Sequence, residues 1–121
     1  MNVLLIEDDP IVMLGARQAL QVADIRVKEA TSVEAAMQQV AQACPAAILS
    51  DVRLPDDDGF ELLKRMQALD REVPVILMTG HGDIRMAVEA MHLGAYDFLE
   101  KPFSSERLVE VMRRALEKRQ L

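Results

Sequence analysis

Five short apolar runs punctuate this chain, and between them apolar residues recur at helical spacing. Residues 3–6 (VLLI), 46–51 (AAILSD) and 74–79 (PVILMT) open as continuous apolar stretches, the pattern of strands buried on both faces. Residues 25–30 alternate well enough for a strand, and residues 96–100 supply a fifth. After the first run, Val12, Ala16, Ala19, Leu20 and Ala23 fall on one helical face, with Pro10 suited to the first turn. Thr31 and Glu34 read as a capping box. The helix behind them is expected to bury Val33, Ala36, Met37, Val40 and Cys44, and Pro45 stops it. RLPDDDG is a loop whose Asp58 caps a helix burying Leu62, Leu63, Met66 and Leu69. Gly80 and Gly82 mark a flexible connection. Asp83 then caps a fourth helix with Ile84, Ala87, Val88 and Met91 inward and Gly94 at its C-terminal cap. Ser104 caps a last helix with Leu108, Val111, Met112, Ala115 and Leu116 inward.

This alternation makes five βα units, without repeats or an internal linker, and predicts one α/β domain over residues 1–121. Right-handed crossovers place helices on both faces of a parallel sheet. A Rossmann-like half and a flavodoxin-like doubly wound sheet of order 2-1-3-4-5 are the arrangements to weigh, and five strands favour the second. In such a sheet the ligand edge lies where the strands end, at the reversal between the first and third strands. The residues that follow the strands are Glu7, Asp8 and Asp9, then Asp51, Thr79 and Lys101. Several carboxylates, a hydroxyl and an ammonium therefore converge, and crowded carboxylates are costly unless a cation binds.

Composition narrows the possibilities. The 121 residues are half apolar, and the formal charge of −6 argues against direct nucleic-acid binding, which needs clustered Lys and Arg. Cys44 is the single cysteine, so no internal disulfide is expected, and its place on an apolar stripe reads as core. No signal peptide is visible and no apolar stretch has the length of a membrane span, which fits a reducing cytoplasm. Eight Met and few aromatics suggest an aliphatic core with Met filling gaps.

The acidic first loop disfavours a flavin phosphate or a dinucleotide, which meets glycines, hydroxyls or a bare helix N-terminus in such folds. It favours Mg²⁺, which takes oxygen ligands. With metal bound, a carboxylate such as Asp51 can attack phosphorus and form an acyl phosphate. Metal and ammonium then offset the charge on the transferring group. Phosphorylation adds negative charge that a new hydrogen bond must meet, and Thr79 is placed to make it.

IEDD, SDVRLPDDDG, MTG and EKPF, in this order and with these separations, resemble the receiver domain of two-component response regulators, over essentially the whole chain. The resemblance implies the CheY-like form of the flavodoxin-like fold, with Asp51 as phosphoacceptor, charged by a phosphohistidine on a sensor histidine kinase. It implies side-chain ligation of Mg²⁺, or another divalent cation such as Mn²⁺, by Asp8 and Asp51. Glu7 would help through water, and Arg53 would give its backbone carbonyl. Thr79 would be the switch hydroxyl, Phe98 the switch aromatic, Lys101 the phosphate partner, and Pro102 would follow a cis bond. Glu7 stands where many members have Asp, which should alter metal geometry slightly. Asp9 is left out of the ligand set. The stretch MTGHGDIRMAVEAMHLGAYDFLEKPF is further similar to receivers of sigma-54-dependent activators of the nitrogen-regulator type, those controlling C4-dicarboxylate transport among them. The resemblance then implies a C-terminal output domain, a homodimer, and a switching surface on the fourth helix, fifth strand and fifth helix. A receiver of the nitrogen-fixation-regulator type with a helix-turn-helix output, or a stand-alone phosphorelay receiver, is the alternative.

Plainer readings stand beside these. Asp8 alone could be only a helix cap, Thr79 a turn residue and Lys101 a solvated charge. His81 and His92 read as surface residues, and His81 is placed to shape water access to the acyl phosphate. The charged positions from Glu106 to Lys118 read as the solvated face of the last helix, or a partner surface. A phosphatase of the haloacid dehalogenase type would want a second acid two residues beyond Asp51, where Arg53 stands. The expected behaviour is thus that of a phosphoacceptor assisting its own phosphorylation and dephosphorylation, not of a turnover enzyme.

Overall fold

A computed structural model describes residues 2–80 and 83–120. The order is β1 (Asn2–Ile6), α1 (Pro10–Val22), β2 (Arg26–Ala30), α2 (Val33–Gln42), β3 (Ala47–Asp51), α3 (Gly59–Leu69), β4 (Val75–Thr79), α4 (Ile84–His92), β5 (Asp97–Glu100) and α5 (Ser105–Gln120). All five strands pair in parallel in the order 2-1-3-4-5, as the doubly wound flavodoxin-like reading expects.

The pleat sorts the core into two halves. Leu4, Ile6, Ile48, Val75 and Leu77 point to one face, where they meet Val33, Met37 and Val40 of α2, Leu62, Leu63 and Met66 of α3, and Ala90 of α4. Val3, Leu5, Leu49, Ile76, Met78 and Leu99 point to the other, against Met13, Ala16 and Leu20 of α1 and Leu108, Val111, Met112 and Ala115 of α5. Burying both faces explains why the three central strands read as unbroken apolar runs.

Helix starts follow their caps. Asp9, Asp58 and Asp83 accept from Ile11, Glu61 and Met86, and Ser104 accepts from Arg107. The start of α2 differs from expectation. Ser32, not Thr31, is the cap, accepting from Ala35 at 3.1 Å. Glu34 thereby falls in the first turn, one place short of the capping-box position.

Three burial expectations fail. Cys44 is exposed, because α2 ends at Gln42 and Ala43 turns into extended backbone, which takes Cys44 off the stripe. Leu69, in the last turn of α3, is 65% exposed. In α4 the buried residues are Ala87 and Ala90, while Ile84, Val88 and Met91 lie outward.

Two glycines are required by geometry. Gly94 has φ +95°, and a Cβ there would fall on the Gln67 side-chain amide of α3. At Gly59 a Cβ would lie 2.6 Å from the Asp51 carbonyl oxygen, so only glycine lets α3 start this close to the end of β3.

Candidate functional site

Strand register brings the polar residues level. Ile6 pairs with Ser50, Ser50 with Leu77, and Leu77 with Phe98, so the next residues, Glu7, Asp51, Met78 and Leu99, share one level at the carboxyl edge. The chain then carries Lys101 back over that edge. Its backbone N–H donates to the Thr79 carbonyl at 2.8 Å, and the Lys101–Pro102 bond is cis, as expected.

Lys101 is the hub. Its Nζ donates to Asp51 Oδ2 at 2.7 Å and to Glu7 Oε2 at 3.0 Å. Asp51 is half-buried and also accepts the Arg53 backbone N–H at 3.1 Å on its other oxygen. Glu7 is buried, at 1% exposure. Burial raises its carboxyl to about 7, against the pull of Lys101. Burial alone would depress the Lys101 ammonium, but hydrogen bonds to Asp51 and Glu7 outweigh it and raise the group.

Glu7, Asp8 and Asp51 each offer a carboxylate oxygen, and the three atoms lie within 4.8 Å of one another. Asp8 is exposed, which leaves the cluster open to solvent on its side. An all-oxygen, anionic, partly open donor set suits a hard cation that retains waters, the preference of Mg²⁺ and also of Mn²⁺. Asp9 stands apart, its side chain committed to the N-terminus of α1.

The other expected residues occupy a second tier. Thr79 is buried, and among the described residues its hydroxyl makes a long bond, 3.5 Å, to the Leu99 carbonyl of β5. That weak tether leaves the hydroxyl free to re-aim at little cost. Phe98 is half-buried and lines a groove with Ile84, Ala87, Val88 and Met91 of α4. His92 is exposed, as expected. His81 and Gly82 lie outside the described residues.

The sequence reading left Asp56 and Asp57 without roles. Asp57 accepts the N–H of Asp58 at 2.9 Å, within the loop after β3. Asp56 reaches across to α2, accepting from Val33 and Glu34. Three consecutive acids in a loop between a strand and a helix could have prompted a search for more than one capped helix end.

Comparison with known proteins agrees with this geometry. The family described as the response regulator receiver domain matches residues 3–113. The chain is 50% identical to the C4-dicarboxylate transport transcriptional regulatory protein DctD of Pseudomonas aeruginosa, over 99% of this chain and 26% of that protein. It is 56% identical to the transcriptional regulatory protein FixJ of Bradyrhizobium diazoefficiens over 57% of this chain and 34% of that one. The crystal structure of the receiver domain of NtrX from Brucella abortus superposes with a TM-score of 0.91 at 32% identity, covering 95% of this chain and 98% of that one. The chain thus spans about a quarter of the length of the dicarboxylate regulator it resembles.

Proposed function

Because this chain belongs to the response regulator receiver domain family, we propose that Asp51 is its phosphoacceptor and that residues 1–121 form one receiver unit of a longer regulator. The observation that carries the reading is Lys101, held at 2.7 Å from Asp51 beside the cluster of Glu7 and Asp8. A carboxylate oxygen of Asp51 attacks the phosphorus of a phosphohistidine on a sensor histidine kinase. A P–O bond forms, the P–N bond breaks, and the departing imidazole nitrogen keeps the electron pair. Asp8 and Asp51 would hold a divalent cation, Mg²⁺ or Mn²⁺, with Glu7 acting through water and the Arg53 backbone carbonyl completing the protein's share. Bound there, the cation would supply positive charge to offset that on the transferring phosphoryl oxygens. Lys101 holds the phosphoryl group once it is transferred. The protein assists its own phosphorylation and dephosphorylation and does not turn over a substrate.

The acyl phosphate adds charge where the Thr79 hydroxyl is tethered by a long bond to Leu99, so the hydroxyl turns toward it. Phe98 follows into the space vacated, and the surface of α4, β5 and α5 changes, a two-state element biased by a local charge event. That surface controls a C-terminal output domain, through a homodimer, in the cytoplasm. Identity over nearly the whole chain to the dicarboxylate transport regulator favours a sigma-54-dependent activator as the complete protein. The match to FixJ over residues of higher identity supports a second reading, a helix-turn-helix output.

The test is incubation with acetyl phosphate and Mg²⁺, followed by intact-mass measurement. The expected result is one added phosphoryl group, absent from Asp51→Asn and from a reaction stripped of metal by chelator. Undiminished labelling of Asp51→Asn sinks the assignment.

A further inference from the structure

The tip of the loop after β3 is fastened to a different helix. Asp56 is exposed, yet both its carboxylate oxygens are engaged: Oδ1 accepts the Val33 N–H and Oδ2 the Glu34 N–H, each at 2.9 Å. These are the first two residues of α2, whose leading N–H groups have no partner inside the helix. Ser32 serves Ala35, so Asp56 supplies what the local cap does not. The two bonds hold the Asp56 carboxyl below its ordinary value.

The rest of the loop is shaped by its own bonds. The Gly59 N–H donates to the Val52 carbonyl at 2.7 Å, and the Leu54 N–H to the Asp57 carbonyl at 3.2 Å. Arg53 and Asp58 pair as an isolated antiparallel bridge. Those bonds make the loop a small closed unit, and Leu54 packs half-buried against the core at its near end, but neither ties the tip to α2. Asp56 does, and α2 is a firm anchor, since Val33, Ala36, Met37 and Val40 are buried against the sheet. Arg53 lies between the two fixed points, with its N–H on the acceptor carboxylate at 3.1 Å.

We propose that Asp56 is a positioning residue for the metal site: by clamping the loop tip to α2 it holds the Arg53 backbone where its carbonyl serves the cation beside Asp51. The inference rests on the proposed function, which makes that carbonyl a ligand. The device costs no space in the site itself. It makes cation affinity depend on the start of a helix that contributes no ligand of its own.

Three variants separate clamping from charge and from general stability. Asp56→Ala removes both bonds. Val33→Pro removes one donor and leaves the charge. Proline is tolerated at the first helical position, and Ser32 already has the extended backbone (φ −149°, ψ 163°) that a residue before proline favours. Ser32→Ala weakens the same helix start without touching the loop. Mg²⁺ affinity is measured by titration calorimetry of the unphosphorylated 121-residue chain, with thermal unfolding in chelator alongside. Asp56→Ala should bind Mg²⁺ about tenfold more weakly, the low end of what loss of support behind a metal ligand costs. Val33→Pro should fall between it and the wild type. Ser32→Ala should melt earlier in chelator but bind Mg²⁺ as the wild type does. Saturating Mg²⁺ should restore the labelling rate of Asp56→Ala, because the loss lies in affinity and not in the chemistry. Wild-type affinity in Asp56→Ala overturns the proposal. So does equal weakening in Ser32→Ala, which would make stability the cause, or wild-type affinity in Val33→Pro, which would make charge the cause. A wild-type chain that neither binds Mg²⁺ nor takes label would instead remove the functional reading beneath it.

Discussion

Helices α4 and α5 pack on opposite faces of the sheet, α4 beside β4 and β5 and α5 over β3, and both carry an apolar stripe. In α5 the bulky members of the stripe are the ones buried: Leu108, Val111, Met112 and Leu116 pack with Ala115 against β-strand side chains. In α4 the bulky members face out. Ile84 is 72% exposed, Val88 50% and Met91 46%, while the sheet is met by Ala87 and Ala90. One helix is fixed by large interlocking side chains. The other lies close on Ala87 and Ala90, with half-buried Met86 packed beside them, and leaves Ile84, Val88 and Met91 outward. Dispersion and burial both scale with the atoms in contact, so α4 is held far more lightly than α5. Light attachment is what an element must have if a charge event at Asp51 is to move it.

The contrast can be broken by substitution. Leu108→Ala in α5 should cost about 2–5 kcal/mol, the range for a fully buried leucine that leaves a cavity, read from chemical denaturation. If it costs less than Ala90→Leu, α5 is not the anchored helix. Ala90→Leu in α4 should cost about 1–3 kcal/mol, because a larger side chain at a fully buried alanine forces the helix off the sheet. Without phosphodonor, that variant should also show altered amide shifts along α4 and β5, with those of α5 unmoved. Native-state hydrogen exchange should find amides of α4 opening at lower free energy than those in the middle of α5. Equal protection in the two helices would remove the distinction. The smallest effect belongs to Ile84→Ser and Val88→Ser, each expected within about 0.5 kcal/mol of wild type, as for surface positions without special roles. A loss above about 2 kcal/mol at either position would mean the outward stripe is already packed.

The same contrast shows where the sequence was legible. Helical spacing identifies residues that share a face, and it located the inward face of α5 residue by residue. In α4 two faces are apolar, one of bulky residues and one of alanines. Spacing alone ranks the bulky one as core, whereas in the fold Ala87 and Ala90, with Met86 half-buried beside them, meet the core. Cys44 was misplaced for a related reason: the stripe continues in sequence past the point where the helix stops. Thr31 and Ser32 are both good caps, and which of them acts depends on where the chain leaves β2. The convergence of Glu7, Asp8, Asp51, Thr79 and Lys101 was readable because parallel strands of matched length place their ends together. The Asp56 bonds to α2 were not, since they join residues 23 and 22 positions apart across an arrangement that only the folded sheet creates.

Gly94 has a mechanical corollary. Its φ of +95° turns the chain just past α4, and two residues on, the Tyr96 N–H is bonded to the Val75 carbonyl of β4 at 2.8 Å. If α4 tilts, that end is its fulcrum. The nine-residue helix extends from it as an arm of roughly 13 Å, given 1.5 Å of rise per residue. A tilt of about 10° at the fulcrum carries the Asp83 end about 2 Å, by the same rise. The outward residues then travel unequally, Met91 least and Ile84 most. A partner gripping the Ile84 end would feel the whole stroke, and one gripping Met91 almost none.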